Sequence, residues 1–397
     1  MKKLLCAVIT VIIAFSVTGC WDSRELDTLF IVTGVGLDAA ENQDELDVNV
    51  QIVRIADGGQ SSGGVPGGGG GGGGSNDKNS NIILLEARGK SVLAALSTLR
   101  HESTRVLFLH HNQMIVFGKE QAQRGIEKNI DIFLRDEETR METLVFVADG
   151  EAKEILAANL DQDKVSGVAA ARIIRQYGAI SSYFNVNMLK LVSALLQKTT
   201  APLIPIIAVK KEENETKLEI SKMAVFKEDK MTGEMNWDEI TGFLWFKGDI
   251  NEGILELSLE KGTAALNILQ AQSTMEPVLQ PDGRIGVKLN VDSTVDIEEL
   301  NGFGELKMED VYSLLIQESK KKIEERISTT FEKTKEMNAD IYGIGGAFHI
   351  KYPKLWTNIA QEWDVLYPKM QLVLNVHVRL AGTGKTGMSL EMEENQE

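Results

Sequence analysis

The sequence predicts a multi-domain protein of the α/β (α+β) class, with mixed β-sheets flanked by helices and one long helix in the C-terminal half. Three observations predict it. Strand-like and helix-like segments alternate from Phe30 to Gln197, the pattern of helices layered on a sheet. Residues 218–297 are richer in strands. Met308 to about Met337 then repeats apolar residues at helical spacing over many turns.

The first element is a leader, 1–19. Lys2 and Lys3 precede a run of 14 uncharged, mainly apolar residues, Leu4 to Val17. A membrane-crossing helix needs about 20 such residues, so this run fits the hydrophobic stretch of an export signal instead. Val17-Thr18-Gly19-Cys20 follows. Small residues before a cysteine suit lipoprotein processing, which acylates the thiol and cleaves before it. Val17 and Thr18 depart mildly from the usual Leu and Ala or Ser. The expectation is an exported chain held on the outer face of a membrane by a diacylglyceryl group on Cys20. Two acyl chains give stable attachment where one binds reversibly. Of the two cysteines, Cys6 leaves with the leader. The mature chain then has no intramolecular disulfide and no cysteine-based structural zinc.

The N-terminal α/β domain is expected over 20–200. Residues 21–29 read as a short amphipathic helix; Phe30–Leu37, Leu46–Ile55 and Ile82–Ala87 read as strands. Between the last two, a loop over 57–80 contains eight consecutive glycines, Gly67 to Gly74. That run carries too much backbone entropy to order by itself, so a disordered, passive loop between paired strands is expected. A helix over Ser91–Leu99, a strand over Val106–Phe117, an amphipathic helix over Lys119–Leu134 and a strand over Thr143–Ala148 follow. Three helical segments, 150–159, 166–177 and 184–197, complete this half.

Ala201-Pro202-Leu203-Ile204-Pro205 and the charged run 210–217 interrupt the alternation, placing a linker at 201–218. A C-terminal mixed α/β domain is expected over 219–386, with an acidic tail at 387–397. Its strands are read at 218–227, 243–247, 254–260, 285–297 and 370–380. The long helix carries the stripe Val311, Leu314, Leu315, Ile323, Ile327 and Phe331, with Lys320–Lys322 and Glu324–Arg326 on a solvated face.

Several chemistries are excluded by context. A formal charge of −16 argues against nucleic acid, which rewards clustered Lys and Arg, and against a body lying flat on anionic lipid. Gly34-Val35-Gly36-Leu37-Asp38-Ala39 matches G-x-G-x-x-A, but a strand rather than a helix follows it, so no dinucleotide site is expected. Gly89-Lys90-Ser91 and Gly384-Lys385-Thr386 lack the upstream glycine of a phosphate loop, with Leu84 and Arg379 in its place. The histidines (His101, His110, His111, His349, His377) have no carboxylate at ligand spacing on a helix. On a strand, His110 and His111 would point to opposite faces. Asp136, Glu137 and Glu138 diverge as solvated or capping acids. Trp237, Trp245, Trp356 and Trp363 suit core or protein contacts. No catalytic constellation is found, so no enzyme, metal or cofactor is expected.

Cys20-Trp21-Asp22-Ser23-Arg24-Glu25-Leu26, then Phe30-Ile31-Val32-Thr33-Gly34-Val35-Gly36-Leu37-Asp38, resembles the mature start of the Ger(x)C lipoproteins, the C subunits of bacterial spore germinant receptors. The resemblance continues through Gly89-Lys90-Ser91, Ala94-Ala95-Leu96, Arg105, His110, Gly118, Gly125, Phe133-Leu134-Arg135-Asp136 and Arg140. Later matches are Ala224–Lys227 with Asp229-Lys230, Gly242–Trp245, Asp340–Gly345, Trp356 and Trp363. The glycine run departs from the family pattern. The resemblance implies several α/β domains, no enzymatic activity and residence on the outer face of the spore inner membrane. It also implies assembly with two polytopic membrane subunits into a nutrient receptor that triggers germination. The C subunit would serve there as scaffold or coupling element. Trp21, Arg24, Glu25, Arg135 and Asp136 are the partner contacts it suggests. The competing reading is a solute-binding lipoprotein of a transporter, which would show two similar lobes; here the halves differ.

Overall fold

The computed structural model describes residues 28–54 and 82–381, apart from Lys198, Asn214, Asp282 and Glu305. The leader, Cys20, the Gly-rich loop and the acidic tail lie outside the described residues, as does the helix expected over 21–29 except for Thr28 and Leu29, the latter of which opens a strand instead.

A nine-stranded mixed sheet organises the first half, in the order β3-β2-β1-β5-β6-β7-β8-β9, with the short β4 beside the start of β1. These strands are β1 (Leu29–Ala39), β2 (Leu46–Val53), β3 (Ile82–Gly89), β4 (Val106–Phe108), β5 (Met114–Phe117), β6 (Leu144–Ala148), β7 (Leu203–Glu212), β8 (Glu215–Lys227) and β9 (Lys230–Met235). The central strands β1, β5, β6 and β7 run parallel, and antiparallel strands flank them. Parallel strands buried on both faces need near-continuous apolar sequence, and MIVF and LVFVA supply it.

One face is covered by α1 (Val92–Glu102), α2 (Lys119–Arg124), α3 (Glu127–Arg135) and α6 (Met188–Leu196). Their buried residues, including Leu96, Ala122, Ile130, Phe133 and Leu191, meet Val35, Leu37, Ile115 and Phe117. Short α4 (Ala152–Ala157) and α5 (Ser166–Ile180) cover the other face. That core continues without interruption into the second half of the molecule.

The second half has a four-stranded sheet, β10-β11-β12-β13, built from Ile254–Leu259, Gly262–Leu279, Ile285–Gly302 and Gln371–Leu380. Helix α7 (Trp237–Lys247) and the long α8 (Met308–Glu336) pack on it, followed by α9 (Ile344–Lys351), α10 (Pro353–Ile359) and α11 (Trp363–Leu366). On α8, Val311, Leu315, Ile323, Ile327 and Phe331 are fully buried. Glu309 and Asp310 in its first turn and Lys333 and Lys335 in its last complement the helix dipole.

Five local readings are corrected. Residues 243–247 are helical, not a strand: Asn236 and Glu239 form a reciprocal capping box, and Gly248, at φ 64°, ends the helix. The helix expected over Lys119–Leu134 breaks at Gly125, whose φ of 126° is strained for other residues. His110 and His111 lie in a 3-10 turn, Leu109–His111, not on a strand. The stretch expected as a linker, 201–218, is occupied by β7 and the start of β8, paired antiparallel. The 18-residue β11 and helices α9 to α11 have no counterpart among the elements expected.

Candidate partner-contact surface

Four parallel strands in one sheet begin at the same end of it. At this leading end the chain enters β1 from residue 28, and both flanks of the Gly-rich loop leave the sheet there, since Val53 pairs with Ile82. Leu29 and Phe30 lie beside Val106 and Leu107 of β4. The Arg105 guanidinium sits 5.6 Å from the centre of the Phe30 ring, close enough for a cation–π attraction. His110 stacks on Phe108 at 4.6 Å, and its Nδ1 lies 3.8 Å from the Glu138 carboxylate.

Arg135 and Asp136, expected as contacts, close α3 in the connection that leads into β6. Arg135 is exposed and pairs with Asp131 one turn earlier at 2.8 Å. Asp136 accepts a hydrogen bond from the Glu138 amide at 3.1 Å and so orders the turn. The connection then reaches the same end as residue 28, through the Gln113 amide on the Thr33 carbonyl and the Leu144 amide on the Gln113 carbonyl. The start of α6 joins here too: the Met188 and Leu189 amides donate to the Thr143 and Met141 carbonyls. Cys20, Trp21, Arg24 and Glu25 lie outside the described residues. Val106 and Leu189 were not singled out in the sequence; they are 49% and 57% exposed. A strand start and a first helical turn both look apolar and core-facing in sequence, so no local signal marks them.

Away from this end, the G-x-G-x-x-A stretch is structural. A Cβ on Gly34 would lie 2.7 Å from Leu156, and one on Gly36 would lie 3.0 Å from Ala152. The glycines therefore let α4 lie directly on β1. Asp38 then accepts hydrogen bonds from the Ala152 and Lys153 amides at 2.6 and 2.9 Å and from the Asn49 side chain at 3.0 Å. It satisfies amides at the start of α4 from a distant strand. Burial outweighs these bonds and pushes its carboxyl up to about 6.

Asp340 repeats the device, accepting from the Ile344 and Gly345 amides at 3.0 and 2.8 Å at the start of α9. Burial likewise raises it to about 6. The Lys247 ammonium, lowered by burial, donates to the Tyr342 carbonyl at 3.1 Å. At the opposite end of the sheet, Lys119 and Lys222 each pair with both Asp149 and Glu234, at 2.5 to 3.3 Å. Burial raises both carboxyls, but the two lysines outweigh it and hold them below their usual range.

Of the tryptophans, Trp245 and Trp363 are buried, while Trp237 is 42% exposed and stacks on Phe184. Among the described residues, no group of three or more His, Cys, Asp or Glu is placed to hold a metal ion. No helix among them is long and apolar enough to cross a membrane.

Comparison with known proteins accounts for nearly the whole chain. Residues 22–209 match the spore germination protein N-terminal domain, and residues 221–384 match the spore germination B3/GerAC-like C-terminal domain. The chain is 25% identical to spore germination protein KC of Bacillus subtilis, covering 97% of each chain. It is 25% identical to spore germination protein A3 of the same organism, over 96% of this chain and 98% of the relative. The putative spore germination protein YfkR is 22% identical, over 94% and 95%. The crystal structure of the GerBC protein has the same fold, with a TM-score of 0.57 at 15% identity over 88% of this chain and 97% of that one. By these two domain matches, the chain belongs to the Ger(x)C family of spore germination proteins.

Proposed function

We propose that this chain is the lipid-anchored C subunit of a nutrient germinant receptor. It would assemble with two integral membrane subunits on the spore inner membrane and act as a non-catalytic scaffold or coupling element. The observation that carries this reading is the coincidence of two independent features. Lys2 and Lys3, a short apolar run and Gly19-Cys20 make a lipoprotein leader. The body behind them matches the family's two domains in order. Relatives aligned over almost their full length are germination proteins. A solute-binding lipoprotein would need two like lobes around a cleft, whereas these two sheets differ in strand number and topology.

Two measurements test the reading. Cys20→Ala should leave the protein unprocessed or untethered, with less of it retained in spore membrane fractions, and weaken germination; unchanged membrane retention would defeat the anchor. Extraction of spore membranes in mild detergent should recover the chain with integral membrane partners, and recovery as a lone monomer would defeat the assembly.

A further inference from the structure

We propose that the leading end of the nine-stranded sheet faces the lipid surface, with Val106 and Leu189 touching the headgroup layer, so that the sheet stands on the membrane on its parallel-strand starts. This rests on the anchoring of Cys20 argued above. The eight steps from Cys20 to Thr28 reach at most about 29 Å extended, and about 12 Å as a helix. The start of β1 can therefore lie no more than about 29 Å from the anchored cysteine. From there β1 runs 11 residues, about 36 Å, to the turn that carries Gln43 at the far end.

The chemistry of the leading end agrees with this orientation. Val106 pairs with Leu29 at the point where the chain enters the sheet, yet half its surface is exposed. Leu189 is exposed on the first turn of α6, beside the start of β6. Apolar side chains of this kind gain by entering the headgroup boundary, some 5–10 Å deep. The net charge of the connections at this end is small, −1 with histidines neutral. The connections 100–105, 110–113 and 135–143 carry four arginines and three of the chain's five histidines against five carboxylates. The chain as a whole stands at −16. Arg105, held over Phe30, sits where a lipid phosphate would meet it.

The test uses the full, acylated chain. Cys20 carries the lipid and Cys6 leaves with the leader, so Val106→Cys, Leu189→Cys and Gln43→Cys each offer one free thiol for a fluorophore. Each labelled protein is reconstituted into vesicles of phosphatidylethanolamine and phosphatidylglycerol bearing nitroxide-labelled headgroups, with no other protein present. The fluorophores at 106 and 189 should be quenched about twofold or more above that at 43, because only they reach the headgroup layer. Flotation with the vesicles but equal quenching at all three sites, or stronger quenching at 43, would overturn the orientation and leave the anchor standing. Failure to float with the vesicles would overturn the anchor, and the orientation with it.

Discussion

Asp38 sets a pH dependence that its own geometry explains. Its carboxyl titrates at about 6 in the folded chain and near 3.9 when unfolded. Between those values the native state holds a proton that the unfolded state has released. This term therefore favours folding at low pH and is lost as pH rises through about 6. Two pKa units correspond to about 2–3 kcal/mol. Asp340 acts in the same direction. Asp149 and Glu234, held low by Lys119 and Lys222, contribute the opposite sign, at pH values below the ordinary carboxylate range. The urea midpoint should rise when pH falls from 7 to 5. Asp38→Asn should flatten that rise by about half, because Asp340 remains. At pH 7 the variant should change stability little: relief from the buried charge offsets the lost acceptor, worth about 1–3 kcal/mol. An unchanged pH slope in the variant would remove Asp38 as its source. The sequence excluded a nucleotide site at Gly34–Ala39 from context alone. It could not reveal Asp38 as a helix anchor, because α4 lies more than a hundred residues along the chain.

Helices α7 and α8 cross where α7 has no side chain. A Cβ on Gly242 would run into the Arg326 carbonyl and the Thr330 hydroxyl. Gly242→Ala should gain up to about 1 kcal/mol of helix propensity but lose about 1–3 kcal/mol to overpacking. The backbone carbonyl cannot swing aside, so the net effect is destabilising and should appear as a lower denaturation midpoint. The same helix shows why part of the architecture escaped the sequence. Gly242–Phe246 is a short apolar run, and periodicity alone does not separate a buried helix from a buried strand there. Asn236 and Glu239, three residues apart at its start, were the legible cue. By contrast, α8 was plain, because its apolar stripe runs from Val311 to Phe331 within a 29-residue helix. In β11, Gln270, Gln272, Ser273 and Thr274 blur the strand alternation, and only pairing with β12 defines it.

At the scale of the whole molecule, the pairing of β7 with β8 decides how the chain can be divided. The two strands pair from Leu203–Val225 to Glu212–Glu215, across the interval between the two family matches. A chain cut after Glu212 would leave β7 with an open row of amides and carbonyls, a template for aggregation. It should be recovered mainly as aggregate on size-exclusion chromatography, where the full chain is not; a soluble monomeric fragment would contradict this. The mixed architecture was legible because strands and helices alternate strongly up to α6. The sharing of one core between the two sheets was not, because residues such as Val225 of the first sheet and Leu255 and Leu289 of the second join one cluster only in three dimensions.

The placement of β1 and β2 has one more consequence. Both lie before residue 55, yet β1 sits inside the sheet, between β2 and β5, and β2 pairs with β3 over eight positions. A break anywhere in 55–81 would divide the polypeptide without removing a described strand from the sheet. The leading segment would then be a separable part whose fit is dictated by three neighbours, β3, β4 and β5, all supplied by the remainder. The chain is thus suited to assembly from two pieces, in which the smaller piece brings Cys20 and the larger one brings the rest of the body.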